Sequence, residues 1–267
     1  MDPQYTLILN YYNKPKELLI RQIEMVLDQT LPPAVIWACF LGCENDELIK
    51  TYKKLTKDCE YAFHVESNYN FKYIGRYQLA LTAPTDYVIT LDDDRLPHKD
   101  YCQTMVEILQ QEDCLVQQYG WKLDMGENLL TNISPDRCVE GICDMRGTYY
   151  RPVEAGNHRF HKKTPTLSKV DYLCGGIAFR KSSLRYLFQE DIYTAATGED
   201  IMFCLRCQKN GVPTYAYHPN IEAKPNQFLG HDSMEINFTT DNTDVILFRT
   251  NIIKKELEKT DASLTEI

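Results

Sequence analysis

The sequence lacks a long apolar run, a surplus of basic residues and the pattern of a secretory leader. No stretch of about 18 apolar residues occurs, so we expect no membrane-spanning helix. Asp and Glu number 38 against 29 Lys and Arg, and the net charge of -9 argues against an extended nucleic-acid interface. The first residues pass directly into a strand-like pattern, without the charged region and apolar core of a signal peptide.

The cysteines do not follow a metal-binding pattern. Ten cysteines without a secretion signal indicate free thiols in a reducing compartment, which predicts a cytoplasmic location. Cys204 and Cys207 form one CxxC pair, and no second pair stands at zinc-finger spacing. Three residues apart on a helix, they fit packing as well as metal binding or redox chemistry, so we favour structural thiols.

The hydrophobic patterns predict an α/β fold. The chain has 267 residues, of which 43% are hydrophobic and 25% charged, enough for one large domain or two small ones. Strand and helix patterns alternate through the first half, which predicts a mainly parallel sheet with helices on both faces. The predicted strands are 6–9, 34–41, 61–65, a strand from 87 into three acids, 114–121 and 214–217, and the predicted helices are 16–27, 45–57, 74–81, 100–111, 200–210 and 245–259.

Periodicity fades between 124 and 168, where we predict irregular structure. This region contains the one dense basic cluster, at 158–163. Such a cluster is typical of a solvated loop. The alternative is a mobile lid or an acceptor clamp, because long loops often carry function.

An apolar strand pattern runs directly into Asp92, Asp93 and Asp94. Alternation along a strand would point Asp92 and Asp94 one way and Asp93 the other. Ligands bind at the carboxyl ends of strands in open α/β sheets, and hard cations prefer carboxylate oxygens, so the triplet predicts a divalent metal. The alternative is an acidic turn before a helix, with Pro97 and Asp100 as start signals.

Several motifs in order resemble the inverting glycosyltransferases of family 2, which have the GT-A fold. They are Leu7-Ile8-Leu9-Asn10-Tyr11-Tyr12-Asn13, Gln29-Thr30, Gly75-Arg76, Leu91-Asp92-Asp93-Asp94, Cys174-Gly175-Gly176-Ile177-Ala178-Phe179-Arg180, Gly198-Glu199-Asp200 and His231. The resemblance implies a single Rossmann-like GT-A domain over 1–250. Its nucleotide-sugar-binding half would be 1–100 and its acceptor-binding, catalytic half 101–240, followed by a C-terminal helix and tail over 243–267.

In this family the acidic triplet, a DXD motif, holds Mn²⁺ or Mg²⁺ against the diphosphate of a nucleotide sugar. The resemblance implies that Asp94 is a direct ligand and that Asp92 faces the ribose or a metal-bound water. Asp93 would do either. A late histidine would join the metal or diphosphate, and His231 is the first candidate with His218 as its rival; a lone loop histidine is more often merely solvated.

The resemblance implies that Glu199 and Asp200 are catalytic, with Asp200 as the general base. A carboxylate opposite the leaving group would deprotonate the acceptor hydroxyl. The start of a helix would lower the pKa of this base unless burial opposed it, and simple dipole complementation is the alternative. Gly175 and Gly176 would frame the acceptor, or else form a bulge or tight turn.

The first strand and the third helix supply the remaining candidates. Asn10, Tyr12 and Asn13 are placed to bind the nucleotide. Either Tyr11 or Tyr12 would stack on a uracil ring, with packing as the default alternative because the chain has 18 tyrosines. Arg76 would reach the diphosphate or the base. Arg180 is either a surface charge or an anchor for Glu199.

We therefore expect a soluble, metal-dependent glycosyltransferase that moves a hexose or pentose from a nucleotide-diphosphate donor, a UDP-sugar, to a hydroxyl of a glycan or lipid-linked acceptor. Peripheral membrane contact stays open, and no nucleic-acid partner is expected. A nucleotidyltransferase is disfavoured, because residues 10–15 lack the glycines of a phosphate loop. A non-catalytic sugar-binding relic is disfavoured by the retention of both acidic groups.

Overall fold

The computed structural model describes residues 3–12, 14–123, 150–152, 166–193, 197–219, 229–231, 249, 251–253 and 255–257. Asn13, the basic cluster at 158–163 and most of the predicted irregular region lie outside these residues. Within the described part of the chain, no helix is long and apolar enough to span a membrane.

The helices and strands follow the alternating order predicted for the first half. The strands are β1 (Tyr5–Asn10), β2 (Val35–Leu41), β3 (Ala62–Ser67), β4 (Tyr87–Asp92), β5 (Arg95–Pro97), β6 (Leu115–Gln117), β7 (Gly120–Leu123), β8 (Tyr150–Pro152), β9 (Thr166–Lys169), β10 (Tyr172–Leu173), β11 (Ala178–Arg180), β12 (Thr214–His218) and β13 (Leu229–His231). The helices are α1 (Lys16–Leu27), α2 (Asp46–Leu55), α3 (Ile74–Ala80), α4 (Tyr101–Gln111), α5 (Leu184–Phe188) and α6 (Glu199–Lys209). Residues 249, 251–253 and 255–257 are helical and are called the C-terminal helix below.

The main sheet is mostly parallel. Eight of the described strands form it in the order β3-β2-β1-β4-β11-β6-β12-β9. β1 is parallel to β2 and β4, β2 is parallel to β3, and β6 is parallel to β12. β11 is antiparallel to both neighbours, and β9 is antiparallel to β12. The predicted mainly parallel α/β sheet is confirmed, with antiparallel strands that the patterns did not predict.

Apolar side chains cover both faces of this sheet. On one face, α1, α2 and α4 contribute buried side chains such as Ile23, Tyr52 and Met105. On the other, α3, α5, α6 and the C-terminal helix contribute residues such as Tyr77 and Phe203. The helices therefore lie on both sides, as predicted, and the described elements form one domain.

The strand predicted over 114–121 is wrong as a single element. The structure has β6 in the main sheet and β7 in a separate three-stranded sheet with β10 and β8. Between them, Gln117 Oε1 accepts hydrogen bonds from the Gln118 backbone amide at 2.6 Å and from the Tyr101 hydroxyl at 2.8 Å. A side chain thus satisfies the Gln118 backbone group that a continuous strand would have paired. β9 likewise begins at Thr166, inside the region predicted to be irregular.

Candidate active site

Asp92, Asp93 and Asp94 lie at the carboxyl edge of the main sheet. Asn10, the last residue of β1, pairs in register with Asp92, the last residue of β4. The two following acids form a turn, and β5 begins at Arg95. The alternation predicted for the triplet stops at Asp92, because the strand itself ends there.

Each acid of the triplet contacts a different group. Asp92 Oδ1 accepts a hydrogen bond from Arg76 Nη1. Asp93 Oδ2 accepts from the backbone amide of Tyr12 at 3.2 Å. Asp92 and Asp93 are therefore hydrogen-bonded to groups from other parts of the chain, whereas the acids of a surface turn would project into solvent.

Arg76 joins the triplet to the acids of α6. Its side chain is 2% exposed, and Nη2 donates to Glu199 Oε1 at 2.7 Å while Nη1 donates to Asp92. The guanidinium also lies over the Tyr77 ring, 5.2 Å from its centroid. One buried cation thus holds a carboxylate from β4 and a carboxylate from α6 in a single site.

Asp93 sits in an environment that opposes ionisation. Burial raises its pKa to about 7, and the charges of Asp94 and Asp92 act in the same direction. Lys14 and the hydrogen bond from Tyr12 only partly oppose this rise. Burial therefore disfavours the charged form of Asp93 more strongly than Lys14 and the Tyr12 amide favour it.

Asp94 is paired with Arg95, which is itself packed tightly. Arg95 Nε lies 3.3 Å from Asp94 Oδ1, and its guanidinium lies 4.4 Å from the centroid of the Tyr119 ring. A Cβ built on Gly175 would lie 2.2 Å from Arg95 Nε. Gly175, at φ +80, therefore leaves the space that the Arg95 side chain occupies.

Gly176 brings β11 close to the end of β4. Its φ is +115, and a Cβ there would lie 2.1 Å from the carbonyl oxygen of Thr90. The Thr90 hydroxyl also accepts a hydrogen bond from the Ile177 backbone amide at 2.8 Å. The glycine pair thus sets the spacing of backbones and side chains behind the acidic triplet, which agrees with the tight-turn alternative.

Glu199 and Asp200 form the first turn of α6, and both are buried. Burial raises the pKa of Glu199 to about 7, with Asp200 acting in the same direction and Arg76 opposing it. Burial also raises the pKa of Asp200, although Arg249, Arg76 and the Ile201 amide oppose the rise. For both carboxyls, desolvation outweighs the stabilisation expected at a helix start, so each has a greater proton affinity than an exposed acid.

Gln22 of α1 and Gln29, two positions after its end, hold the acidic segment; sequence reasoning missed Gln22 and named Gln29 only as part of the family resemblance. Gln22 is fully buried, and its Nε2 donates to the carbonyl oxygens of Asp92 at 2.7 Å and Arg95 at 2.6 Å. Gln29 Nε2 donates to the carbonyls of Pro97 and His98, at 3.1 and 2.9 Å. The signals in the sequence were a polar Gln22 within the apolar stripe of α1 and the Gln29-Thr30 pair of the family resemblance.

The two tyrosines that follow β1 lie in different environments. Tyr11 is buried and stacks on Phe40 with centroids 5.3 Å apart, so it is a core residue. Tyr12 is 48% exposed beside the triplet and is the tyrosine that remains available to a ligand. Asn10 is half-buried at the same edge, and Asn13 lies outside the described residues.

The two candidate histidines lie on different strands. The backbone of His231 pairs with Arg95 across β13 and β5, directly after the triplet. His218 is buried on β12, and its Nε2 lies 3.1 Å from Ser168 Oγ. The strand pairing therefore favours His231 over His218 as the histidine nearer the acids.

Within the residues that the structure describes, no group of three or more His, Cys, Asp and Glu side chains is arranged to hold a metal ion. The triplet nevertheless fits one, because Mg²⁺ and similar ions are often held by one or two carboxylates with substrate phosphates and water completing the shell. Burial is the main cause of the raised pKa of Asp93 and the charges of Asp94 and Asp92 add to it, so a cation bound beside the triplet would favour the ionised carboxylate.

The contacts of three further candidates indicate that they stabilise the fold. Arg180 donates to the Leu109 carbonyl and pairs with Asp113 at 3.5 Å, so Arg76 rather than Arg180 contacts Glu199. Cys204 and Cys207 are buried, and burial raises the pKa of the Cys204 thiol. The eight cysteines that the structure describes are all free thiols.

The sheet, with acids at the carboxyl end of its central strand, defines a GT-A type of glycosyltransferase domain. The sequence pattern of Glycosyl transferase family 2 matches residues 6–188, well over half of the chain, and the chain therefore belongs to this family. The match covers the triplet, Arg76 and the glycine pair, and it ends before α6 and the C-terminal helix. A comparison with curated proteins gave no match.

Proposed function

We propose that this protein is a metal-dependent, inverting glycosyltransferase that uses a UDP-sugar as donor. It moves a hexosyl or pentosyl group to a hydroxyl of a glycan or lipid-linked acceptor. The observation that carries the proposal is the double contact of Arg76, which joins Asp92 of the triplet to Glu199 of the catalytic pair. This contact brings together the acidic edge that would hold the leaving group and the carboxylate pair that would activate the nucleophile.

The donor side is formed by the acidic triplet. Asp94 and Asp92 are the proposed metal ligands, with Asp93 beside them and His231 on the paired strand. A divalent cation held there would neutralise negative charge on the departing nucleoside diphosphate. Its positive charge would also oppose the rise in the pKa of Asp93 that burial causes.

The nucleotide is proposed to lie along the end of β1. Tyr12 offers an exposed ring, and its backbone amide already orients Asp93. Asn10 stands next to Asp92 in register, and we retain it as a nucleotide contact together with Asn13. Arg76 acts on the donor through Asp92, because its guanidinium is buried and donates to two carboxylates.

The transfer step is a single displacement with Asp200 as general base. The acceptor oxygen attacks the anomeric carbon, and the bond between that carbon and the phosphate oxygen breaks with its electron pair leaving on UDP. The hydroxyl proton passes to the Asp200 carboxylate, and attack from the face opposite the diphosphate inverts the anomeric centre. A carboxyl whose pKa burial has raised suits this role, because it has a greater proton affinity than an exposed aspartate.

Glu199 is proposed to hold the catalytic end of α6 in place. Its contact with Arg76 fixes the first turn of α6 against α3 and β4. Gly175 and Gly176 would frame the acceptor side through their backbone, since Arg95 and the Thr90 carbonyl already fill the space beside them.

The proposal is tested with the full chain and a panel of UDP-sugars, in Mn²⁺ and in excess chelator. UDP released by slow transfer to water is measured for UDP-glucose, UDP-galactose, UDP-N-acetylglucosamine and UDP-xylose. We expect metal-dependent release from at least one donor and much less release from Asp200→Asn. A folded protein that binds UDP and Mn²⁺ yet cleaves none of these donors would favour the non-catalytic relic.

A further inference from the structure

The C-terminal helix is fastened to α6 by a buried ion pair. Arg206 and Glu256 are 0% and 4% exposed, and Arg206 Nε and Nη2 lie 2.9 and 2.8 Å from Glu256 Oε1. Arg206 Nη1 and Nη2 also donate to the carbonyls of Leu187 and Asp191, at 2.6 and 2.8 Å. The Tyr193 hydroxyl donates to the same Glu256 carboxylate.

This arrangement satisfies a charge that would otherwise be expensive to bury. A guanidinium has five N–H donors, and here they meet a carboxylate and backbone carbonyls from the end of α5 and the turn that follows it. An ion pair so well surrounded fixes the relative position of the elements that supply it, because loss of any one leaves a buried charge. The C-terminal helix is therefore held in register with α6.

The inward face of the C-terminal helix then meets the start of α6. Arg249, Ile252, Ile253 and Glu256 are spaced as i, i+3, i+4 and i+7, so they share one face of the helix. Ile252 and Ile253 are buried. A Cβ built on Gly198 would lie 2.4 Å from Ile252 Cδ1, so the helix touches the residue immediately before the catalytic pair.

Arg249 lies along the same backbone. Its Nε donates to Thr197 Oγ1 at 3.1 Å, and its Cγ would lie 3.9 Å from a Cβ on Gly198. Its positive charge also opposes the rise in the pKa of Asp200 that burial causes. The Arg249 side chain thus contacts the segment that orients the Asp200 side chain at the start of α6.

We propose that the C-terminal helix is a wall of the candidate active site, and that Arg249 is a positioning residue for the Asp200 base. This inference rests on the proposed function, in which Asp200 accepts the proton of the acceptor. Arg249 orients the 197–200 segment and supplies positive charge beside it, while the Arg206–Glu256 pair keeps Arg249 in place. Both features lie beyond the residues that the family pattern matches.

The test compares Arg249→Gln and Arg249→Lys with Asn251→Ala, a control on the exposed side of the same helix. We expect Arg249→Gln to lower the kcat of donor hydrolysis about tenfold or more while the Kd for UDP with Mn²⁺ stays within about twofold. Arg249→Lys should restore most of the loss, because an ammonium group supplies both a donor and a charge. Asn251→Ala should match the unaltered protein.

Amide hydrogen exchange gives a second readout that needs no turnover. Arg249→Gln should speed exchange of the 197–201 amides, and Asn251→Ala should not. Unchanged exchange there overturns the inference whatever the activity, as does an Arg249→Gln variant with full kcat. If the unaltered protein releases no UDP from any donor, the proposed function fails, and the exchange data still decide whether Arg249 holds this segment.

A second variant tests the role of the C-terminal helix separately from that of Arg249. Glu256→Gln keeps Arg249 but removes half of the buried ion pair, which should loosen the C-terminal helix. We expect faster exchange at 251–257 and at 197–201 together, with a fall in kcat like that of Arg249→Gln. Loosening of 251–257 without any change at 197–201 or in kcat would show that the helix is not part of the site.

Discussion

Arg76 and Glu199 are separated by 123 positions in the chain, yet Arg76 Nη2 donates to Glu199 Oε1 at 2.7 Å in the interior. The same guanidinium donates to Asp92. The guanidinium thus connects β4, which ends at the first acid of the triplet, to the helix that carries the proposed base. We therefore expect both stability and the proposed catalysis to depend on this one arginine.

The first prediction concerns this arginine. Arg76→Gln should lower the free energy of unfolding by about 3–5 kcal/mol, because two carboxylates lose their buried partner. Urea denaturation followed by circular dichroism measures this change. As a matched control, Lys99→Gln breaks an exposed pair with Asp28 at 3.4 Å and should cost less than about 1 kcal/mol.

A double variant sharpens the same measurement. Arg76→Gln combined with Glu199→Gln removes one stranded charge along with the cation, so its effect should be clearly smaller than the sum of the two single changes. Additive effects would mean that Arg76 and Glu199 are not energetically coupled, despite the distance between them.

The second prediction concerns metal-dependent binding of nucleotide. Asp94→Ala should abolish the part of UDP binding that requires Mn²⁺, because the proposed direct ligand is removed. Isothermal calorimetry with UDP, with and without Mn²⁺, measures this part. Asp100→Asn, at an acid six positions later that accepts a hydrogen bond from Thr30, serves as a control and should bind normally. Equal Mn²⁺-dependent affinity in Asp94→Ala and the unaltered protein would remove Asp94 from the ligand set.

The third prediction concerns the base. Asp200→Asn should keep UDP affinity while turnover falls by about 10²-fold or more, because the amide cannot accept the acceptor proton. Steady-state kinetics and calorimetry on the same preparation separate rate from binding. Asp191→Asn, at an exposed acid that precedes the proposed catalytic pair in the chain, is the comparison variant. Full turnover in Asp200→Asn would exclude Asp200 from the mechanism.

The fourth prediction concerns pH. The pKa of Asp93 rises from 3.8 to about 7 on folding, so between these values the folded protein holds a proton that the unfolded chain has released. The contribution of Asp93 to the free energy of unfolding therefore falls as pH rises through this window, and is constant above it. Glu199, whose pKa rises to about 7, contributes with the same sign.

Melting temperatures of the metal-free protein at pH 5.0 and 7.5 test this sign. Between pH 5.0 and pH 7.5, the melting temperature of the unaltered protein should fall by about 3 °C or more relative to that of Asp93→Asn, because the variant has no carboxyl to ionise at this position. Asp58→Asn, on an acid that is 89% exposed, should behave like the unaltered protein. Mn²⁺ should stabilise the protein more at pH 7.5 than at pH 5.0, since its ligands must be ionised. A stabilisation by Mn²⁺ that is independent of pH would argue against Asp93 as a neighbour of the cation.

The local patterns predicted the framework well. The spacing of apolar residues in α1 gave the observed limits, Lys16–Leu27, because one face of that helix packs on the sheet. The run from Tyr87 into the acids likewise predicted β4 and the edge at which the triplet lies. Periodicity captures such elements because each one buries a single face or strand.

The contacts between distant segments were not predictable in the same way. No periodicity links Arg76 to Glu199, and the role of Gly175 depends on the side chain of Arg95 packing against it. The break between β6 and β7 depends on the side chain of Gln117 binding the next backbone amide. These features arise from tertiary packing, so only the folded chain displays them.

The anchoring of the C-terminal helix has a consequence for biosynthesis. The Arg206–Glu256 pair cannot form until the chain as far as Glu256 has left the ribosome, although the sheet strands and the acidic triplet emerge much earlier. A nascent chain would therefore display its acidic edge while the helix that carries the proposed base is still unsupported. The proposed site would therefore be completed only late in synthesis.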